Sequence, residues 1–263
     1  MRWLMIVALV TVSSTTAAYS GTFLNDFSNE HLEGWNIHID PKPAFRPVPH
    51  LLNFEDGYLV LNKNRVAQEH SVSLELGTRN AEEWDSYSFT FRIRFKGVPE
   101  PGAAFYTEVR RSDVVANEIP NPANSHNAQS MWILLDERQA IHVLTFRLGQ
   151  PPLGWAPDEI IHRAKFGLER LEQPIASRWI PIKIVAKENY FKFYFDNQLV
   201  AKYEDEKAGP GTVLFHTNMK IVVHLDDIKI WGPRIPNIGG PYGVAPEARL
   251  ATTWGEMKDL PRR

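Results

Sequence analysis

The sequence predicts an all-β fold in which short strands assemble into a sandwich or jelly roll. Apolar and polar residues alternate with a period of two along many short segments, as they do in strands with one buried face. Polar turn segments separate these stretches, and the evidence for a helix is confined to one place. About ten to twelve short strands joined by such turns are typical of two-sheet β architectures.

The clearest strand is "YSFTFRIRF", Tyr87 to Phe95, in which large apolar residues alternate with Ser, Thr and Arg. The same reasoning predicts strands at 57–63, 103–110, 130–135, 140–148, 180–187, 190–195, 199–203, 212–217 and 220–231. Polar turns are predicted at 136–139, 188–189 and 196–198. The segment 159–173 carries apolar residues at near-helical spacing, interrupted by Gly167, and is the one candidate helix.

The N-terminus, "MRWLMIVALVTVSSTTAAYS", has the features of a secretory signal peptide. Arg2 supplies a positive start, an apolar run follows from Trp3 to Val12, and small residues lie near Ala18. The run is too short to span a bilayer, and no other run approaches transmembrane length. We therefore predict a signal peptide at 1–18. The pattern favours a bacterial protein that is secreted to the periplasm or the extracellular space. The alternative is a short membrane anchor.

Composition limits the classes of partner and site. The chain has 263 residues and no cysteine, which excludes disulfides, cysteine-based zinc sites, a cysteine nucleophile and a lipid-anchored N-terminus. A net charge of -2, from 29 basic and 31 acidic residues, gives no electrostatic case for binding nucleic acid. One sandwich domain is predicted at 19–232, followed by a Pro- and Gly-rich tail at 233–263.

Several segments occur in an order that suggests a known superfamily. They are "FLNDFSNEHLEGWNI", "FEDGYLVLNKN", "WDSYSFTFRIRF", "WIPIKIVAKENYFKFYFDNQLVAKY" and "LDDIKIW". In this order they resemble the concanavalin A-like lectin/glucanase superfamily, which includes laminarinase-type family 16 glycosidases, laminin-G-like modules and 3-keto-disaccharide hydrolase-like domains. The resemblance spans roughly residues 22–231. It implies a jelly-roll sandwich of two curved antiparallel sheets, with a carbohydrate groove on the concave one.

The catalytic motif of family 16 is missing from the matching strand. The resemblance leads one to expect carboxylates at alternate positions of a strand, where acid and nucleophile share one sheet face. The segment "QSMWILLDE" instead offers Ser130, Trp132 and Leu134 on one face. Asp136 and Glu137 are adjacent, so on an extended strand they point to opposite faces. Family 16 catalysis is therefore not expected.

The last strand, "VVHLDDIKIW", places a carboxylate among apolar residues. Strict alternation puts Asp226 on the same face as Ile228 and Ile230, where an unpaired carboxylate is costly. By the resemblance, Asp226 occupies the position of a structural calcium ligand, with the backbone of Gly57 and the side chains near Asn25 and Asp26 completing the set. Calcium accepts such mixed oxygen ligands. The alternatives are backbone hydrogen bonds, an Arg or Lys partner, or a β-bulge that turns Asp226 to solvent.

Charged and aromatic side chains give the candidate sugar-binding residues. Arg92 and Arg94 share one strand face, as do Glu108 and Arg110, and together they suit hydroxyl or carboxylate groups if these faces line the concave sheet. The alternative is a solvated face with cross-strand ion pairs. Trp132 and Trp155 are predicted to stack on sugar rings, against the alternative of core packing. No histidine shows zinc-ligand spacing, and no serine lies in a hydrolase motif.

The predicted function is binding of a poly- or oligosaccharide on the concave face. A second candidate is a glycoside hydrolase of the 3-keto-disaccharide hydrolase-like type, for which Glu108 with Asp136 or Glu137 would supply acid and base. A third is a structural or adhesion module that uses the C-terminal tail. No nucleic acid partner is expected, and the only cofactor considered is structural calcium.

Overall fold

The computed structural model describes residues 20–32, 34–40, 52–61, 71–77, 83–96, 104–111, 128–135, 141–148, 159–166, 178–206, 208–217 and 222–239. Sixteen β-strands make up most of these residues. They are β1 Ser20–Asn25, β2 Trp35–Asp40, β3 Leu52–Glu55, β4 Tyr58–Leu61, β5 Ser71–Leu76, β6 Ser86–Lys96, β7 Ala104–Arg111, β8 Ala128–Leu135, β9 Ile141–Leu148, β10 Glu159–Phe166, β11 Ile180–Lys187, β12 Tyr190–Phe195, β13 Gln198–Glu204, β14 Thr212–Thr217, β15 Val222–Pro233 and β16 Ile238–Gly239. Within these ranges, no helix is long and apolar enough to cross a membrane.

The strands form two sheets, and the predicted all-β sandwich is confirmed. The nine-stranded sheet has the order β13-β12-β11-β6-β15-β1-β16, with β4 also pairing with β15 and β3 pairing with β4. The seven-stranded sheet has the order β10-β9-β8-β7-β14-β5-β2. All pairings are antiparallel except that of β1 with β16. Each sheet therefore combines a run of consecutive strands, β11 to β13 or β7 to β10, with strands far apart in sequence, as in a jelly roll.

The core lies between the sheets and is built by alternation. In β6, every second residue from Tyr87 to Phe95 is buried, and the intervening residues are half-exposed. Facing residues of the seven-stranded sheet, such as Phe105 and Phe215, pack their rings against Phe91 at centroid distances of 6.2 and 4.8 Å. The inner face of each sheet is thus apolar, and the outer face carries most of the polar side chains that concern function.

The predicted face of Asp226 is wrong, because β15 contains a β-bulge at this position. The pairing with β6 shifts register between Asp226 and Lys229, and Asp227 adopts a left-handed φ of 51°. Val223 and Leu225 lie in the core before the bulge, and Ile228 and Ile230 lie there after it. The face therefore switches parity at the bulge, and Asp226 does not share a face with the isoleucines. The bulge weighed as an alternative is present, but it does not turn Asp226 to solvent, since this residue is 6% exposed. The other two alternatives, an Arg partner and a backbone hydrogen bond, are found as well.

The candidate helix at 159–173 is wrong over its described part. Glu159–Phe166 is β10, an edge strand that pairs antiparallel with β9. A register shift between Ile160 and His162 breaks strict alternation, which removes the usual strand signature from the sequence. The predicted turn at 188–189 is confirmed, and the one predicted at 196–198 is confirmed at 196–197, whereas Gln198 begins β13. Asp196 and Asn197 both have positive φ, as a type I′ hairpin turn requires.

The sheet also extends past the predicted domain boundary. β15 ends at Pro233, and β16 pairs in parallel with β1 through Phe23 and Ile238. The signal peptide predicted at 1–18 and the tail beyond Gly239 lie outside the described residues. So do Asp136, Glu137 and Trp155.

Candidate functional site

A continuous row of side chains crosses the outer face of the seven-stranded sheet. Ser73 pairs with His216, His216 with Tyr106, and Tyr106 with Trp132, on strands β5, β14, β7 and β8. We call these four residues the central row. Directly paired residues of neighbouring strands project from the same face, so the register alone places the four side chains beside one another.

Contacts within the central row fix the side chains. Ser73 Oγ and His216 Nδ1 are 2.7 Å apart, within hydrogen-bond distance. The Tyr106 ring lies 5.2 Å from the His216 ring and 4.5 Å from the Trp132 ring, the latter in an edge-to-face arrangement. Trp132 Nε1 donates to Ser130 Oγ at 2.7 Å. The polar end of the indole is thereby satisfied, while Tyr106 and Trp132 both remain partly exposed.

Two glutamates lie in the row next to the central row. Glu75 on β5 and Glu108 on β7 both pair with Leu214 on β14, so they flank that strand on one face. Their exposed fractions are 2% and 0%. Because neighbouring strands are about 4.8 Å apart, the two backbone positions are separated by about 9–10 Å. Both carboxylates are therefore buried on the face turned away from the core, where burial requires polar partners.

Arg92 and Arg94 belong to a different surface, on the outer face of the nine-stranded sheet. Both guanidinium groups lie 4.7 Å from the Trp179 ring, and that of Arg94 also lies 5.0 Å from the Tyr58 ring. Arg94 Nη2 lies 2.8 Å from His224 Nδ1, and the His224 ring stacks on Tyr58 at 4.7 Å. We call these five residues the cation–aromatic cluster. Burial, and then the charge of Arg94, lower the pKa of His224 to about 4, so the imidazole is neutral and accepts from Arg94.

The partner of Asp226 is Arg92. Arg92 Nη2 donates to Asp226 Oδ2 at 2.6 Å, and the Asp227 backbone N–H donates to Asp226 Oδ1 at 2.7 Å. Arg92 Nε also lies 2.8 Å from Asp227 Oδ2. Burial raises the pKa of Asp226, an effect that the hydrogen bond from Arg92 opposes. Both oxygens of this carboxylate are thus already used by donors of the chain itself.

The other predicted calcium ligands are close in the fold but differently engaged. Asn25 Oδ1 accepts from the backbone of Phe27, and Asp26 Oδ1 accepts from the backbone and hydroxyl of Ser28. Gly57 lies beside Ser28 in the turn between β3 and β4. Among the described residues, no group of three or more His, Asp or Glu is placed to hold a metal ion. With Asp226 bound to a guanidinium, the arrangement does not fit a calcium site.

Arg110 lies between the sheets rather than in a groove. It is 3% exposed, its guanidinium donates to the Glu188 carbonyl, and its charge lies 5.4 Å from the Phe191 ring. Its backbone N–H donates to Tyr87 Oη at 2.8 Å. A positive φ of 57° at Arg110, beside a register shift between β7 and β14, turns the side chain from the face that Glu108 occupies.

Of the six predicted sugar-binding residues, the structure brings Glu108 and Trp132 together on the seven-stranded sheet, and Arg92 and Arg94 together on the other sheet. Arg92 and Arg94 lie on the opposite sheet, Arg110 connects the sheets, and Trp155 lies outside the described residues. The expectation of one charged groove is therefore wrong, since shared strand parity specifies a face but not which sheet carries the strand.

The sequence analysis missed Ser73, Tyr106 and His216 of the central row, and it missed Glu75 in the neighbouring row. Strand β5, "SVSLEL", alternates perfectly and places Ser73 and Glu75 on one face. That alternation was the available signal for both residues. His216 and Tyr106 carried no signal of their own, because only the register of β14 with β5 and β7 brings them together.

The comparisons with known proteins bear on the fold. No family model and no curated protein sequence matches the chain. Among solved structures, the carbohydrate recognition domain of Emp47p has a TM-score of 0.55 at 14% identity, over 82% of this chain and 96% of that one. The potassium-bound form of the Emp46p carbohydrate recognition domain has a TM-score of 0.53 at 13% identity, over 83% and 98%. The catalytic domain of an endo-1,3-beta-glucanase (laminarinase) from Thermotoga petrophila RKU-1 has a TM-score of 0.52 at 11% identity, over 81% and 97%.

These identities are too low to transfer a function, but the coverage is nearly complete on the other chains, and the agreement concerns the whole sandwich. Together with the two antiparallel sheets, these structural matches confirm the fold that the order of segments suggested. The chain has the concanavalin A-like lectin/glucanase fold.

Proposed function

We propose that this protein binds an oligo- or polysaccharide along the outer face of its seven-stranded sheet. The observation that carries the proposal is the central row, which ends in two partly exposed aromatic rings and lies next to two buried glutamates. A carbohydrate presents apolar ring faces and a rim of hydroxyl groups, so such a surface complements it. By the resemblance, this sheet is the concave one.

Each part of the surface has a role in this proposal. Trp132 and Tyr106 supply the apolar contact, and the bond from Trp132 Nε1 to Ser130 holds the indole in one orientation. Glu75 and Glu108, which are 2% and 0% exposed, lie beneath the contact surface and support it as buried polar groups. His216, oriented by Ser73, contributes a further polar group at the boundary between the two rows.

The comparisons support carbohydrate chemistry only at a general level. Two of the similar structures are described as carbohydrate recognition domains and one as a glucanase catalytic domain. Binding and hydrolysis of sugars both occur on this fold, so the choice between them depends on this chain's own side chains.

The test is binding of neutral oligosaccharides on a glycan array, followed by calorimetry with the best ligand. We expect Trp132→Ala to weaken binding about tenfold or more, because a buried aromatic contact is lost. Trp231→Ala is the matched control, since Trp231 is a half-exposed tryptophan on the outer face of the other sheet. Equal affinity of the Trp132→Ala variant and the unaltered protein would contradict the proposal.

Glycoside hydrolysis is the second candidate, and the placement of Glu75 and Glu108 favours it. Their backbone positions flank β14 on one face at a separation of about 9–10 Å, and an inverting mechanism requires the two carboxyl groups themselves to lie about 6.5–9.5 Å apart. In that reaction one glutamic acid protonates the leaving oxygen as the glycosidic bond breaks, and the other removes a proton from the attacking water. Release of reducing sugar that is lost in Glu108→Gln, with inverted anomeric configuration, would establish this activity. Binding without any turnover would exclude it for the sugar tested.

Secretion and calcium are finer parts of the prediction. We propose export by the N-terminal segment 1–18, and sequencing the mature protein would test it by finding a start near residue 19.

The proposed sugar contacts require no metal ion. Calcium near Asp226 would have to displace Arg92, so calorimetry with calcium after chelation is expected to show no binding; a measurable heat would restore the calcium hypothesis.

A further inference from the structure

The outer face of the nine-stranded sheet carries a basic and aromatic surface that the proposed groove does not use. Register places Lys229, Thr90, Lys183 and Tyr194 in one line across β15, β6, β11 and β12. In the next line, Lys192 on β12 lies directly opposite Lys202 on β13. We call Lys183, Lys192, Lys202 and Lys229 the basic patch.

Within the described residues, no carboxylate lies within 4.0 Å of any lysine of the basic patch. The acidic side chains near this surface are mostly paired, since Asp226 and Asp227 contact Arg92 and Glu55 contacts Lys96. Glu204 on the edge strand and Glu188 in the turn between β11 and β12 are exposed acidic residues outside these pairs. The patch is therefore a local excess of positive charge on a chain whose net charge is -2.

Two lysines of the patch oppose each other unfavourably. Lys192 and Lys202 are directly paired cross-strand neighbours, an arrangement that like charges destabilise. An anion held between them would remove that repulsion. Binding of a negative ligand between these two lysines would therefore stabilise the folded protein by offsetting their repulsion.

A cleft lies beside the patch. It has a volume of about 460 Å³, and its walls include Thr90, Lys183, Tyr194 and Asn197. Lys183 Nζ lies 5.7 Å from the Tyr194 ring centre, so a cation and an aromatic ring adjoin within the cleft. Asp227 also lines it, but the Arg92 contact at 2.8 Å offsets its charge. Arg92 lines it as well, held by Asp226 and Asp227, so the cleft offers Lys183 as a further cation, the Tyr194 ring and two neutral hydrogen-bonding side chains.

Aromatic rings lie beside three of the four lysines of the patch. Lys192 Nζ lies 5.2 Å from the Tyr190 ring, and Lys229 Nζ lies 5.2 Å from the Trp231 ring. A purely electrostatic surface for nucleic acid needs many cations and a basic protein. Spaced lysines, three of the four beside a ring, suit a ligand with both a ring face and a negative group in each unit.

We propose that the basic patch and its cleft bind a glycan that carries anionic sugar residues, at a second site on the opposite face from the proposed groove. Lys183 binds the anionic group of one residue, whose ring lies against Tyr194, and Asn197 and Thr90 bond to its hydroxyls. Lys192, Lys202 and Lys229 contact the anionic groups of adjacent residues. The anionic group is a carboxylate or a sulfate ester, which present the same negative oxygens to lysine.

The test is calorimetry of the full chain with three probes at low salt: a galacturonic acid oligomer, a sulfated galactose oligomer and a neutral glucose oligomer. We expect an anionic oligomer to bind with an affinity that falls as salt is added. Tighter binding of the first or of the second probe assigns the carboxylate or the sulfate. Lys183→Gln is expected to weaken this binding about tenfold, the value of one charge-assisted hydrogen bond.

Lys187→Gln is the matched control. Lys187 lies on the same face of the same strand and is equally exposed, but it lies four residues away and does not line the cleft. Its replacement is expected to leave affinity within about twofold. Lys202→Gln is expected to raise the melting temperature of the free protein and to weaken anionic binding.

Three results would overturn the proposal. These are neutral glucose binding as tight as anionic binding in this site, equal losses in Lys183→Gln and Lys187→Gln, or tighter binding of a single-stranded oligonucleotide than of either anionic oligomer. The Trp132→Ala variant is expected to retain anionic binding in full, so failure here and failure of the proposed groove are distinguishable.

Discussion

At the scale of single residues, the bond between Arg92 and Asp226 determines the character of one outer surface. Asp226 is 6% exposed, and its two oxygens accept from Arg92 and from the backbone of Asp227. A buried carboxylate with a guanidinium partner and a backbone donor is tolerated, whereas one without them is costly. The pair therefore holds the bulge of β15 against β6 and uses the oxygens of Asp226 as acceptors for donors of the chain.

Replacing Arg92 tests this pair. Arg92→Met is expected to lower the free energy of unfolding by about 1–3 kcal/mol, because it leaves a buried carboxylate without its charged donor. Lys96→Met is the control, since the Lys96–Glu55 pair is exposed at 3.4 Å and such pairs contribute about 0–1 kcal/mol. Denaturant unfolding measures both, and equal effects would contradict the assignment.

His224 gives the cation–aromatic cluster a pH dependence. Its pKa in the folded protein is about 4, below the 6.5 of the unfolded chain, so between these values the unfolded state binds more protons. Stability contributed by neutral His224 is present above pH 6.5 and is lost as the pH falls towards 4. The charged groups that shift its pKa are Arg94 and Lys96, which lower it, and Glu55, which raises it.

The measurement is unfolding at several pH values for the unaltered protein and for His224→Gln. Asp226, whose pKa is raised, has the opposite effect: its contribution to stability is lost as the pH rises above 3.8. The contribution of His224 is therefore obtained from the difference between the two proteins. We expect the unaltered protein to lose more stability than the variant between pH 6.5 and 4. Parallel curves would show that His224 does not titrate as described.

At the scale of elements, β15 is the strand on which the nine-stranded sheet depends. It pairs with β6 along one edge and with both β4 and β1 along the other. Its C-terminal part approaches β6 closely at Gly232, where an added Cβ would overlap the carbonyl oxygen of Ser86 and lie 2.8 Å from the Cα of Tyr87. Only a residue without a side chain permits this contact.

Substitution at this glycine is therefore expected to disturb the sheet. Gly232→Ala should lower the free energy of unfolding by about 1–3 kcal/mol, since backbone atoms must move to admit the methyl group. Gly209→Ala is the control, because nothing lies within 4 Å of the added atom. Thermal and denaturant unfolding compare them, and an unchanged Gly232→Ala variant would refute the close approach.

Some features of the individual strands could be predicted from the sequence, and others could not. The alternation of β6 specified its buried face correctly, and the aspartate and asparagine of the hairpin turns were recognisable. The phase change at Asp226 was not recoverable from alternation, because a bulge inserts one residue without altering composition. The neighbours of Glu108 were likewise hidden, since Glu75 reaches it only through the pairing of β14 with two distant strands.

At the scale of the whole molecule, polar contacts connect the sheets around an apolar core. Tyr87 Oη on β6 accepts from the backbone of Arg110 on β7 at 2.8 Å and lies 3.4 Å from the Gly211 carbonyl. Gln129 on β8 donates to Asp205 and accepts from Tyr203, each at 2.7 Å, both residues belonging to the opposite side of the sandwich. Directional bonds of this kind fix how two apolar faces are aligned.

Removing one hydroxyl tests this connection. Tyr87→Phe preserves the ring but leaves the buried Arg110 N–H without its acceptor, and we expect a loss of about 1–3 kcal/mol in unfolding free energy. Tyr190→Phe is the control, because Tyr190 is a half-exposed residue of the outer face whose ring contacts Lys192. Hydrogen exchange should also rise at Arg110 in the first variant only. No difference between the variants would show that the contact does not align the sheets.

The pairing of β1 with β15 and β16 also makes the domain suitable for circular permutation. Ser20 lies opposite Pro233, at a distance of about 5 Å for directly paired residues, and Ile238 returns beside Phe23. A short linker could join these two ends, and new termini could be opened at the exposed turn between β12 and β13. For the same reason, the sandwich could be inserted into a loop of a host protein while separating the host's flanking segments only slightly.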